Sequence, residues 1–120
     1  MSYKVNNSLE ERQKKFQEYS QKNPDKIAII IEQGPNSQLK QLDRPEVLIN
    51  QDKQGIDLIT FLKQKLCLPE QSHLNSIYII EPTSKCVLNG NDNLREFYDK
   101  HKNEEDGFLY LQYQRQEFFG

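Results

Sequence analysis

Tryptophan is missing from this chain, and cysteine and histidine occur twice each. Cys67 and Cys86 have no CxxC partner, and they read as reduced thiols of a cytosolic compartment. Neither His73 nor His101 sits in a metal spacing such as His-x-x-x-His, so no metal is expected. A Cys–His dyad drawn from two of each residue is a coincidence of chance level. No stretch approaches the roughly 20 apolar residues of a membrane span. Residues 2–8 are polar and supply no apolar core for a signal peptide. The chain also lacks an excess of either charge: the net charge is −2, with acids and bases interspersed. That argues against nucleic acid as the main partner, because phosphate binding needs a basic excess on one face. No P-loop is present, and Gly34, Gly55, Gly90 and Gly107 stand alone as turn glycines. The carboxylates are scattered and form no acid/base pair. No enzyme and no cofactor are expected.

What is present is one domain's worth of chain. Its 120 residues can bury a single core, with 35% hydrophobic and 28% charged residues and a mean hydropathy of −0.89. Ser8-Leu9-Glu10-Glu11 is a capping box. It predicts a helix over 9–21 with Leu9, Phe16 and Tyr19 on a thin apolar stripe, lying on the domain and stopped by Asn23-Pro24. Residues 1–7 carry little pattern. Residues 26–32 are apolar without alternation, the mark of a central strand covered on both faces. Residues 39–45 are ambiguous and lead into a short edge-like strand over 46–50, with Pro45 at its start.

The spacing of Leu58, Ile59, Phe61, Leu62 and Leu66 predicts a helix over 56–66, with Lys63 and Lys65 suiting its C-terminal dipole. Cys67 would finish that helix as a small apolar residue, and Cys86 would lie in a loop. Residues 75–80 read as a strand, 87–88 as a short extra strand and 94–101 as a short helix with Leu94, Phe97 and Tyr98 inward. The turn pair Asp106-Gly107 opens a final strand over 108–113, followed by a polar run ending in Phe118-Phe119-Gly120. Strands and helices segregated in this order predict an α+β fold, with helices on one face of a mixed sheet. Pattern alone leaves several α+β folds open.

Asp106-Gly107-Phe108-Leu109-Tyr110, the aromatic Tyr113 and the terminal Phe119-Gly120 are similar to the autophagy ubiquitin-like modifiers, the GABARAP-like family. The resemblance extends over about residues 9–120. It implies a ubiquitin-like β-grasp: an N-terminal helical extension over 1–25, the β-grasp domain over 26–113 and a flexible conjugation tail over 114–120. It further implies that Gly120 is the reactive terminus. Its carboxylate would be adenylated, carried as a thioester and attacked by the amine of phosphatidylethanolamine. A side chain at that α-carbon would crowd both acyl transfers, and the two acyl chains of the lipid suffice for stable anchoring.

Implied partners are an activating enzyme, a conjugating enzyme, a deconjugating cysteine protease, and motif-bearing adaptors or cargo receptors. The implied locations are the cytoplasm before conjugation and the autophagosome membrane after it. Family peptides with an aromatic-x-x-aliphatic core add to the edge strand. Carried over by position, the aromatic pocket falls on Tyr19, Ala28, Ile30, Leu48 and Phe108, and the aliphatic pocket on Val47, Ile49, Leu58 and Phe61. Ile30 and Leu58 are equally well read as plain core residues. Lys26 and Arg44 are left to receive acids flanking the motif. The chain departs from the family where Glu46 and Lys15 exchange the usual charges, Val47 replaces an aromatic, and Ala28 and Asn50 replace prolines. Altered peptide preference or weakened binding, with a more open aliphatic pocket, is the expected consequence. The alternatives are an unconjugated ubiquitin-fold interaction module with a dedicated partner, and conjugation to a protein lysine.

Overall fold

The computed structural model describes residues 2–35, 39–67 and 77–115. Helix α1 spans Tyr3–Asn6 and α2 spans Leu9–Lys22. Strand β1 is Lys26–Gln33, β2 is Glu46–Asn50, α3 is Gly55–Lys65, β3 is Ile77–Glu81, β4 is Cys86–Leu88, α4 is Leu94–His101 and β5 is Leu109–Arg115. The sheet order is β2-β1-β5-β3-β4. The central pair β1–β5 is parallel, and every other pair is antiparallel. This mixed five-stranded sheet with its helices is the ubiquitin-like architecture, and β2 and β4 are its edges.

The capping box at α2 forms as its sequence dictates. The Glu11 amide donates to Ser8 Oγ at 3.2 Å and the Ser8 amide donates to Glu11 Oε1 at 2.8 Å. No residue of α2 is fully buried, in keeping with its thin stripe. Helix α1 was not legible as a pattern: at four residues it is too short for one, and burial of Tyr3 fixes it.

Strand β1 shows why its apolar run does not alternate. Ile27, Ile29 and Ile31 join a core with Leu58 and Leu62 of α3 and Leu94 and Phe97 of α4. Ala28 and Ile30 join a second core with Tyr3 and Phe108, against which Phe16 and Tyr19 of α2 pack. Helices therefore lie on both sides of the sheet, with the N-terminal extension covering the face opposite α3 and α4.

Residues 39–45 lead into β2 as expected, without a strand of their own; Tyr113 Oη donates to Lys40 O at 2.7 Å and Leu39 is buried, so this segment lies along the α3-side core. Several local expectations change. Cys86 lies in β4, not in a loop. Cys67 is exposed beyond α3 with φ +58°, so it turns the chain instead of filling the core. Gly55 is the buried first residue of α3, not a turn residue. A Cβ there would sit 2.0 Å from Asn89 O, a close approach that only glycine permits. Gly107 does turn the chain, at φ +91°, and a Cβ on it would strike the Phe16 ring at 2.6 Å. Strand β5 begins at Leu109, just after Phe108, and runs on to Arg115.

Candidate functional site: the open edge of the sheet

The antiparallel register pairs Ile29 with Val47 and Ile27 with Ile49. Just outside these pairs, the Ile31 amide donates to Pro45 O at 2.9 Å and the Gln51 amide donates to Asp25 O at 3.1 Å. Hydrogen-bonded pairs alternate along such a ladder, so Val47 and Ile49 turn their backbone groups toward β1. Glu46 and Leu48 turn theirs outward, along the edge of the sheet. The carbonyl of Asn50 is taken by the Lys53 amide at 3.1 Å. The edge thus offers a short row of donors and acceptors for one added strand.

A groove of about 420 Å³ straddles this edge. Tyr19 and Leu48 line it on the α2 side; Leu42, Val47 and Phe61 line it on the α3 side. Lys40, Asp43, Arg44, Glu46 and Lys65 rim it. Of the residues expected at the peptide pockets, Tyr19, Arg44, Val47, Leu48 and Phe61 therefore line a real depression. Ile49 is half-buried against the α3-side core. Ala28, Ile30 and Phe108 lie beneath Tyr19 and Leu48 and are at most 4% exposed, while Leu58 is wholly buried in the other core. These four support the groove rather than face it. Lys26 stands opposite Asn50, at the far end of β2 from Glu46, and does not line the groove. Gly120 lies outside the described residues, as does His73.

The rim has an electrostatic knot that the family resemblance implied only as a charge exchange. Glu46 Oε2 accepts from Tyr3 Oη at 3.2 Å and Tyr19 Oη at 3.3 Å, and stands 3.5 Å from Lys15 Nζ. Burial raises the Tyr19 pKa and the Glu46 carboxylate raises it further; Arg44, beside the same hydroxyl, opposes them. One carboxylate thereby joins α1, α2 and the edge strand. A second anchor sits at the start of β5. Asp106, its side chain fully buried, accepts from Arg12 Nη1 at 2.7 Å, from the Tyr110 hydroxyl and from the Phe108 amide at 2.9 Å.

His101 packs against Phe97 with tilted rings, centres 4.5 Å apart, and its Nδ1 is 4.0 Å from Glu81 Oε1. Among the described residues no cluster of three or more His, Cys, Asp or Glu could hold a metal ion. No described helix is long and apolar enough to cross a membrane.

The family model described as "Autophagy protein Atg8 ubiquitin like" matches residues 11–120. The chain belongs to the Atg8 family. It is 28% identical over 120 residues to Autophagy-related protein 8d of Arabidopsis thaliana, covering 99% of this chain and 94% of that one. It is also 28% identical to Autophagy-related protein 8 of Schizosaccharomyces pombe over 119 residues, covering 98% and 93%. The crystal structure of Trypanosoma brucei ATG8 superposes with a TM-score of 0.87 at 28% identity, covering 100% of this chain and 98% of that one. The chain is thus a divergent Atg8-family, ubiquitin-like autophagy protein.

Proposed function

We propose that this Atg8-family chain is a lipid-conjugated modifier that recruits partners through its β2 edge. The observation that carries the recruiting half is the outward-facing backbone of Glu46 and Leu48 beside a groove open on both sides of the strand. An extended peptide can add there as a further strand, taking affinity from main-chain bonds and specificity from the two sides of the groove. An aromatic side chain suits the Tyr19–Leu48 side, and an aliphatic one suits the Val47–Phe61 side.

The conjugating half rests on family membership and on Gly120. The terminal carboxylate would take adenylate from ATP with release of pyrophosphate. A partner cysteine would displace AMP to form a thioester. The amine of phosphatidylethanolamine would then displace the thiol and form an amide. Activating and conjugating enzymes supply the catalytic groups, and a cysteine protease hydrolyses the product; the modifier itself is not an enzyme. The protein would be cytoplasmic before conjugation and on autophagosomal membranes after it.

The test is reconstitution with Atg8-family activating and conjugating enzymes, ATP and phosphatidylethanolamine liposomes, read by intact mass. One lipid should be added to the wild type and none to a chain lacking Gly120. Leu48→Asp should lose peptide binding and keep the lipid adduct. An adduct on the chain lacking Gly120 would overturn the conjugation site. No wild-type adduct from enzymes active on another family member would favour the unconjugated interaction module.

A further inference from the structure

Strand β5 is held on three sides near its end. It pairs with β1 as far as Gln33 opposite Tyr113, and with β3 as far as Ile77 opposite Arg115. The Gly34 amide adds one bond beyond β1, donating to Tyr113 O at 2.9 Å. Tyr113 and Gln33 both reach the segment that follows: the Tyr113 hydroxyl donates to Lys40 O, and Gln33 Nε2 donates to Leu39 O at 2.5 Å. The Gln114 side chain lies across the bare backbone of Gly34. A Cβ on Gly34 would fall 2.4 Å from Gln114 Cγ and 2.6 Å from its Nε2. From the β3 side, Tyr78 Oη donates to Gln114 Oε1 at 3.4 Å. Gly34 is buried, and among the described glycines positive φ belongs to Gly107. Glycine therefore serves at 34 for space, not for backbone conformation.

Gly120 comes five residues after Arg115, a reach of at most about 17 Å. We propose that Gln114, seated on Gly34, is a positioning residue for conjugation through Gly120: it keeps β5 paired to its last residue and so fixes the point from which the terminal glycine is offered. The inference rests on the Gly120 reading above and adds the residues that prepare that reaction. Each acyl step, from adenylate to thioester to amide, needs the glycine carboxyl carbon at a partner's reactive atom while the partner also grips the domain. A start point set before binding lowers the ordering cost of that encounter. With the side chain lifted from Gly34, the pairs Tyr78–Gln114 and Ile77–Arg115 would open first, because they end the β3–β5 ladder. The lost order would have to be restored on binding. That raises KM and leaves kcat unchanged, since the bound chain is the same.

The test uses the full chain with an Atg8-family activating enzyme and ATP, reading the rate of thioester formation over a range of modifier concentrations. Gln114→Ala removes the side chain, and Gly34→Ala displaces it with a methyl that the backbone accepts. Each is expected to raise KM about three- to tenfold with kcat unchanged. The double variant should be no worse than Gln114→Ala alone, because the methyl then has nothing to displace. Gln114→Met covers Gly34 with a chain of the same length and should stay near the wild type. The heteronuclear NOE of the Arg115 amide should fall in both single variants while that of Leu111 holds, which separates a loosened strand end from a loosened fold. A wild-type KM in either variant, additive effects in the double variant, or an unmoved Arg115 amide would overturn this inference and leave conjugation through Gly120 standing. If an enzyme active on another family member forms no thioester with the wild type, the conjugation reading fails and the inference falls with it.

Discussion

The two faces of β1 are covered by different means. Toward α3 and α4 the contacts are aliphatic and deep, with Ile29, Leu58, Leu62, Leu94 and Leu109 wholly buried. Toward α1 and α2 they are aromatic: Tyr3, Phe16 and Tyr19 each meet the Phe108 ring at centre distances of 5.4 to 6.3 Å. That second face contains no buried residue of α2, so polar anchors hold the helix in place: Arg12 to Asp106, Gln13 Nε2 to Glu105 O at 2.9 Å, and the Glu46 knot. One face is a core in its own right; the other is an extension fastened at a few points. The groove lies where the two meet, along the strand whose residues alternate between them.

The comparison can be broken from either side. Leu58→Ala leaves a cavity in the aliphatic core and should cost roughly 4 kcal/mol in urea unfolding, with every element destabilised together. A loss confined to α3 would show that this core is not one unit. Asp106→Ala strips the nearly buried Arg12 of its partner and should cost roughly 3 kcal/mol. Amide exchange should rise first in α2, while β3 and β4 stay protected. Uniform exchange would mean that the extension is as deeply built into the core as α3.

The smallest effect is an alkaline one. Burial holds the Tyr3 phenol well above its ordinary value of 10.0, and Glu46 raises it further. Burial and the Asp106 hydrogen bond do the same for Tyr110. A folded value raised above the unfolded one gives stability that is complete below about pH 10 and is lost as pH rises through the folded value. Tyr3→Phe should therefore lose less stability than the wild type above pH 10, by about 1 kcal/mol near pH 11. Identical alkaline limbs for the two proteins would remove Tyr3 from the fastening.

Much of the fold was legible because its signals are local. The capping box at Ser8, the unbroken apolar run of β1, the spacing of α3 and the Asp106-Gly107 turn each reflect backbone physics within a few residues. Helix α1, the course of 39–45 and the role of Gly55 were not legible, because each depends on a distant contact: Tyr3 on Phe108, Lys40 O on Tyr113, and Gly55 on Asn89 O. The groove was legible only in part. The residue pattern found the edge strand, and the resemblance found Tyr19, Leu48 and Phe61. It could not separate these from Ile30 and Leu58, because exposure is decided by packing. Lys40, Leu42 and Lys65 carried no signal, since a residue in an irregular segment and one in the last turn of a helix meet only after folding.

By itself the sequence determined every element but α1, and the open character of the 46–50 strand. These follow from periodicity, turn chemistry and residue identity, which act over a few positions. The tertiary structure alone decided that the N-terminal helices close the second face of β1, that Tyr3 and Tyr19 meet on Glu46, and that Lys40 and Lys65 stand on the opposite side of one strand. Those contacts join residues far apart in the chain, and only the folded sheet gathers them around one strand.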